Sequence, residues 1–412
     1  MVDDATLRAL AERFGTPLFV YDAATITARA AELLEARDAG RGFDVVRYAQ
    51  KANPNLSLAR LLLQRGCALD AVSSGELRRA LALACDPRDV SYCADLFDDD
   101  ALQLVTRHPF QLVAGSPDML ERYAAAAPPR RDIALRINPG FGHGHDAKVA
   151  TGGEQSKHGI WHAELARVVD RARELGLRVT GLHVHIGSGS DLEHLARASA
   201  AVVEAAEVVR DSLEMLSCGG GLPIPYRDSE VRFDVPRFLA HWNRARMRIE
   251  ERVGRALRLE VEPGRFLVAE AGLLLARVLG TKRSAKSAFV FLDAGFHNLL
   301  RPALYGAYHK LSLVGRDAEP REPQVVAGPL CESADVFTQE KHGRIVAREL
   351  PRARAGDLCC IHDTGAYAAA MASGYNSQLL AAEVMLHNGR ARLVRARQTI
   401  DQLLRPELEC LE

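Results

Sequence analysis

Apolar, β-branched residues recur in short runs over the first two thirds of the chain, at 43–49, 68–73, 89–93, 110–115, 132–138, 178–186, 215–219 and 257–263. Each run is short and predicts a buried strand. Between them, apolar residues spaced three and four apart predict amphipathic helices over 55–65, 75–85, 163–175, 193–210 and 238–253, and another over 24–36 precedes the first strand. Eight buried strands alternating with helices predict an α/β fold, a (β/α)8 barrel with its chemistry at the C-terminal ends of the strands. From about residue 270 the pattern changes to short strand-like runs at 287–293, 324–327, 344–349, 358–362 and 383–394. His387-Asn388-Gly389 interrupts the last as a hairpin signal. The pattern predicts a barrel domain over 22–270 and a mainly β, sandwich- or barrel-like domain over 271–412. Residues 1–21, strand-like at 16–21, are expected to join the second domain's sheet. Neither a low-complexity linker nor a repeat beyond the barrel's own is visible.

Charge and composition narrow the function classes. Lys plus Arg equals Asp plus Glu at 53 each, so no bulk field draws the chain to nucleic acid or to an anionic membrane. No apolar run reaches membrane-spanning length, and the acidic start Met1-Val2-Asp3-Asp4 lacks a signal-peptide profile. Eight cysteines without Cys-x-x-Cys spacing suggest reduced thiols in the cytoplasm. The expectation is a soluble enzyme with a small-molecule substrate.

The strand ends carry the candidate chemistry. Lys51 closes Tyr48-Ala49-Gln50-Lys51 at the end of the first barrel strand, and Glu262-Pro263-Gly264-Arg265 closes the eighth. An amine, an acid and phosphate donors are what pyridoxal phosphate requires. A lysine after a strand is more often a surface residue, so the rest of the rim decides. His183-Val184-His185-Ile186-Gly187-Ser188 ends the sixth strand; paired imidazoles two residues apart could instead be metal ligands of a barrel hydrolase. Gly187 and Ser188 offer anion donors that a zinc site does not need. Cys218-Gly219-Gly220-Gly221 ends the seventh strand, either as a tight loop or as a phosphate cradle, and barrels commonly place phosphate at the loops after strands seven and eight.

Taken with Ile137-Asn138-Pro139-Gly140, Ser156-Lys157-His158-Gly159, Arg301-Pro302-Ala303-Leu304-Tyr305, Gly328-Pro329-Leu330-Cys331-Glu332-Ser333, Gly365-Ala366-Tyr367 and Tyr375-Asn376, these segments resemble the fold-type III pyridoxal phosphate decarboxylases, most closely the diaminopimelate branch. The resemblance runs from about Thr16 to Leu404. It implies that Lys51 carries pyridoxal 5′-phosphate, that His185 stacks on the cofactor ring and that Glu262 pairs with the ring nitrogen. It assigns Ser188, Gly220, Gly221, Gly264, Arg265 and Tyr375 to cofactor binding, with Arg265, Arg301, Tyr305, Glu332 and Tyr375 around the substrate. Cys331 is implied as the proton donor, acting with Glu332 in a partner subunit's site, which implies a homodimer with shared sites. Without the resemblance, Cys331 reads as a buried structural thiol and Arg301 as a surface arginine.

Two positions depart from the family pattern. His297-Asn298 stands where an Asn-Asp or Ser-Asp pair is expected, and Gln378 stands where an arginine commonly follows the Tyr-Asn motif. The implied reaction is decarboxylation of meso-2,6-diaminopimelate to L-lysine and carbon dioxide, a step of lysine biosynthesis. A paralogue acting on D-lysine, D-ornithine or a carrier-bound amino acid is the alternative. An alanine-racemase-like activity, a metal-dependent hydrolase built on His183 and His185, and a catalytically silent binding protein rank lower.

Overall fold

A computed structural model describes residues 2–38, 42–146, 148 and 150–411. The chain divides into two compact units: Thr27–Ile224 with Arg232–Leu267, and Met1–Ile26 with Pro225–Val231 and Val268–Glu412.

The N-terminal segment is not strand throughout. A helix, Asp4–Phe14, comes first because the Asp3 carboxylate accepts from Thr6 N at 2.8 Å as its cap, and Gly15 at φ +71° ends it. Strand β1 (Leu18–Asp22) follows. Leu7 and Leu10 of the helix pack with Leu18, Val20, Leu275, Cys360 and Val384 in the core of the second unit.

The first unit is the barrel. Its strands are β2 (Val45–Ala49), β3 (Ala68–Ala71), β4 (Val90–Ala94), β5 (Gln111–Ala114), β6 (Asp132–Asn138), a two-residue β7 (Ile160–Trp161), β8 (Arg178–Val184), β9 (Met215–Ser217) and β10 (Arg258–Val261). Among the described residues all pairings of these strands are parallel, β7 pairs with β6 alone, and the register of Glu260 with Val45 closes the ring of eight between β10 and β2. The interior holds a charged layer: Arg47 Nε donates to Glu260 Oε2 at 2.8 Å and Gln111 Nε2 donates to the same oxygen at 3.1 Å. These groups are buried, so their mutual satisfaction is what makes the layer tolerable. Glu262 lies two residues beyond Glu260 and so on the same side of the chain, one step nearer the C-terminal mouth.

The second unit contributes β11 (Gly272–Ser284), β12 (Ser287–Leu292), β13 (Leu311–Leu313), β14 (Arg321–Ala327), β15 (Arg348–Pro351), β16 (Leu358–Ile361), β17 (Ala382–His387) and β18 (Arg390–Arg395). The sheet runs β15-β14-β12-β11-β1-β17-β18, with β16 joining β11 to β13. β1 lies antiparallel to β11 and parallel to β17, so an N-terminal strand completes a C-terminal sheet. β17 and β18 form the hairpin that the Asn-Gly pair predicts; Asn388 and Gly389 have φ of +51° and +71°. The run predicted at 344–349 is displaced, the strand lying at Arg348–Pro351 against Arg321–Gln324. β11 escapes the alternation rule because the consecutive residues Leu274, Leu275 and Ala276 in its first half are all buried, so both of its faces are covered there. No helix among the described residues is long and apolar enough to cross a membrane.

Candidate active site

Lys51 follows β2 in a single 3-10 turn, Gln50–Ala52. Tyr48 Oη donates to the Asn53 carbonyl at 2.7 Å, and Ala49 N donates to Pro263 O at 3.1 Å, which laces the exits of β2 and β10 together. Gly264 permits this approach, since a Cβ there would lie 2.9 Å from Ala52 Cβ and 3.2 Å from Ala49 O. Lys51 Nζ reaches Asp70 Oδ2 at 3.3 Å, and Ser91 Oγ donates to Asp70 Oδ1 at 2.9 Å. Burial raises the Asp70 pKa above the usual carboxylate range, with Lys51 opposing. Burial also pushes Glu76 up to about 7, against the Val72 N–H and Lys51. Lys51 therefore lies against two carboxyl groups whose burial favours the protonated form and whose charge Lys51 supports.

Glu262 follows β10 directly. His183 Nε2 lies 2.8 Å from its Oε2, and Ser217 Oγ donates to its Oε1 at 2.7 Å. Burial by itself would raise the carboxyl, but the His183 charge, the two hydrogen bonds and Lys51 outweigh it and hold Glu262 well below its ordinary value. At His183 burial favours the neutral ring, while Cys93 and Glu262 oppose it and carry the pKa up to about 10. The pair is imidazolium and carboxylate at neutral pH. His185 behaves oppositely: burial, then Arg136, Lys51 and His183, drive its pKa well below the ordinary value. Its ring is neutral, and its Nδ1 has no hydrogen-bond partner among the described residues.

The two histidines do not share a donor cluster: among the described residues the His, Cys and carboxylate donor atoms that lie together are those of Cys93, His183 and Glu262, and, separately, those of His143, Asp191 and His194. His183 is the partner of the acid, a role the His-x-His spacing alone does not reveal.

The glycine loop after β9 lies against both neighbouring strand exits. A Cβ on Gly219 would fall 2.3 Å from Val184 O, one on Gly220 2.4 Å from Glu262 O, and one on Gly221 2.3 Å from Gly187 O. Only glycine can take this path. Gly189 N donates to Gly221 O at 2.9 Å, and Arg265 Nη2 donates to Ser188 Oγ at 2.9 Å. A hydroxyl, a guanidinium and close backbone thus converge on one loop cluster, the donor set of an anion site.

The remaining predicted residues belong to the second unit. Arg301 begins a one-turn helix, Arg301–Tyr305, and is buried rather than on the surface. Its Nη1 donates to His309 Nε2 at 2.7 Å, and its guanidinium lies 4.8 Å from the Tyr226 ring centroid. His309 Nδ1 lies 2.8 Å from the His362 carbonyl, which can only accept, so Nδ1 bears the proton and Nε2 is free to receive Arg301. His297 and Asn298 are both buried, and burial lowers His297 to about 4, leaving this pair uncharged at neutral pH. Cys331 and Glu332 are exposed, so the thiol is not the buried structural cysteine its residue type suggests. Cys331 N donates to Asn376 Oδ1 at 2.9 Å, and Tyr375 lies against Phe296 with ring centroids 5.3 Å apart.

A model of the pyridoxal-binding domain of pyridoxal-dependent decarboxylases matches residues 25–269. The diaminopimelate decarboxylase of Escherichia coli K12 is 44% identical over 98% of this chain and 96% of its own. The chain belongs to the diaminopimelate decarboxylase family of pyridoxal-dependent decarboxylases. Among solved structures, a diaminopimelate decarboxylase that is 44% identical superposes with a TM-score of 0.93, covering 99% of this chain and 97% of that one. The Helicobacter pylori diaminopimelate decarboxylase complexed with L-lysine gives 0.89 at 29% identity, covering 98% and 99%.

Within this family's barrel, Asp70, Glu76, Ser217 and Cys93 are site groups that the strand-end motifs do not single out. For Asp70 and Ser217 a signal exists: each is a polar residue in an otherwise apolar strand run, where an unsatisfied group would be costly.

Proposed function

We propose that this chain decarboxylates meso-2,6-diaminopimelate to L-lysine and carbon dioxide, with pyridoxal 5′-phosphate bound at the barrel mouth. The observation that carries the reading is the buried Glu262–His183 pair at 2.8 Å, on a rim shared with Lys51 and the glycine cradle. The residues fit the cofactor: an amine for covalent attachment, a buried carboxylate for the ring nitrogen, a neutral flat imidazole at His185 for the ring face, and Ser188, Gly220, Gly221, Gly264 and Arg265 for the phosphate; Tyr375 is assigned to the cofactor as well. Bound there, pyridoxal phosphate supplies an electron sink for the pair left when carbon dioxide departs. Asp70 steadies the Lys51 ammonium. Arg265, Arg301, Tyr305, Glu332 and Tyr375 are assigned to the substrate, and the Cys331 thiol to delivering a proton to the carbon that loses its carboxylate.

The exposure of Cys331 and Glu332 supports their acting in a second copy's site, in a homodimer with two shared sites. Mixing Lys51→Ala with Cys331→Ala subunits should then restore about one quarter of wild-type activity under random pairing, because each hybrid carries one intact site. No recovery despite proven subunit exchange would put both residues in one protomer's site. Composition suits a cytoplasmic setting.

The substrate is tested with a panel of diamino acids, following carbon dioxide release. A second carboxylate calls for fixed cationic donors, and Arg265 and Arg301 remain, while His297-Asn298 and Gln378 alter the neighbouring residues. The specificity constant for meso-diaminopimelate should exceed those for D-lysine and D-ornithine by about 100-fold or more, the scale of a buried cationic site losing its partner. Equal turnover of a monocarboxylate would overturn the substrate while leaving the decarboxylase. Gln378→Arg should raise the preference for diaminopimelate further.

A further inference from the structure

The loop that bears Cys331 is held in an unusual way. Cys331, Glu332 and Ser333 are exposed, so the segment has little packing of its own to fix it. Two polar side chains grip it instead. Asp335 is buried at 3% exposure, and among the described residues no cation pairs with it. Its Oδ2 accepts from Leu330 N at 2.8 Å, the residue before the thiol, and its Oδ1 accepts from Phe296 N at 2.7 Å. Its backbone closes the same loop, with Gly328 N donating to Asp335 O at 2.9 Å and Asp335 N donating to Glu332 O at 3.0 Å. Gly295 and Gly328 leave the room it needs: a Cβ on the first would sit 2.8 Å from Asp335 Oδ1, and one on the second 2.3 Å from Oδ2.

Asn376 supplies the second grip. Its Oδ1 accepts from Cys331 N at 2.9 Å, while its own φ is +53° and that of Ser377 is +58°. Two consecutive non-glycine residues in the left-handed region are sparsely populated and persist only where surroundings enforce them. The grips also join at their other ends, because Phe296, bonded to Asp335, packs its ring at a tilt against Tyr375, the neighbour of Asn376. A buried carboxylate whose side-chain bonds among the described residues run to two backbone amides is a costly way to fill a core, but it fixes two segments relative to each other.

We propose that Asp335 and Asn376 are positioning residues that clamp the Cys331 thiol for proton delivery. This rests on the reading of Cys331 as the proton donor. A thiol displaced by about 1 Å through loss of a clamp should cost about 100-fold in rate.

The test uses the holoenzyme with Asn376→Ala, Asp335→Asn and, as the conservative change, Asn376→Asp, which keeps the acceptor oxygen. Expected are a kcat lowered about 100-fold with KM within about threefold for Asn376→Ala, the same direction for Asp335→Asn, and near-wild-type turnover for Asn376→Asp. The second readout is iodoacetamide alkylation of Cys331 in cofactor-free protein, followed by peptide mass spectrometry. It should accelerate several-fold in Asn376→Ala and remain unchanged in Asn376→Asp. Should Asp335→Asn fail to fold, the exposed Asn376 series alone decides. Wild-type kcat and alkylation in Asn376→Ala, or equal losses in Asn376→Ala and Asn376→Asp, would overturn the clamp. Cys331→Ala run in parallel separates the two readings: if it is crippled while the clamp variants are normal, only the clamp fails, and if it is itself normal, the donor role fails and the clamp with it.

Discussion

Replacing Lys51 with alanine is expected to lower turnover by several decades, each decade being about 1.4 kcal/mol of barrier. The expectation follows from position. Lys51 leaves the end of β2 in a single turn pinned by Tyr48, Pro263 and Gly264, and its Nζ meets Asp70 at 3.3 Å. The variant loses the amine but none of the groups that hold the turn, so the loss should appear in kcat rather than in stability. Wild-type protein should be yellow with cofactor, and borohydride should bleach it while fixing the cofactor on the Lys51 peptide. Label on another lysine would move the site, and a fully active Lys51→Ala would end this assignment.

Glu262→Gln should cost both activity and stability. The carboxylate lies 2.8 Å from the His183 imidazole in a buried environment, and removing one partner of such a pair typically costs about 3–5 kcal/mol. The sign with pH follows from the two shifts. The His183 pKa is raised from 6.5 to about 10, so its contribution is fully present below 6.5 and is lost as pH rises through about 10. The Glu262 pKa is lowered from 4.5, so its contribution is present above 4.5 and is lost only in strong acid. Denaturant unfolding of cofactor-free wild type should therefore show stability falling between pH 7 and 10, more steeply than in Glu262→Gln. A flat wild-type profile would mean that His183 is neutral. His183→Gln combined with Glu262→Gln should recover part of the stability, because no buried charge is left unpaired. It should recover no activity, which separates the structural role of the pair from its chemical one.

Much of this was legible in the chain. The eight apolar runs mark the eight barrel strands, since a strand buried on both faces has to be apolar along its length, and the glycines at 219–221 and 264 mark places where backbone meets backbone. Reading failed where local pattern and tertiary environment part. The first half of β11 is buried on both faces, so it shows no alternation, and the helix Asp4–Phe14 is short and capped rather than strongly periodic. His183 and His185 look equivalent by spacing, yet Cys93 and Glu262 raise the pKa of one against its burial, while burial, helped by nearby cations, lowers that of the other.

The order of strands, the lysine, the acid and the glycine cradle are determined by the sequence itself, because strand period, chain reversal and conformational freedom are local properties of residues. The partners of those groups are decided by the tertiary structure. Asp70 against Lys51, His183 and Ser217 against Glu262, and Asp335 and Asn376 around the Cys331 loop are contacts between residues far apart or unremarkable in the chain. Charge state and orientation depend on distance and burial, and only the folded chain sets those.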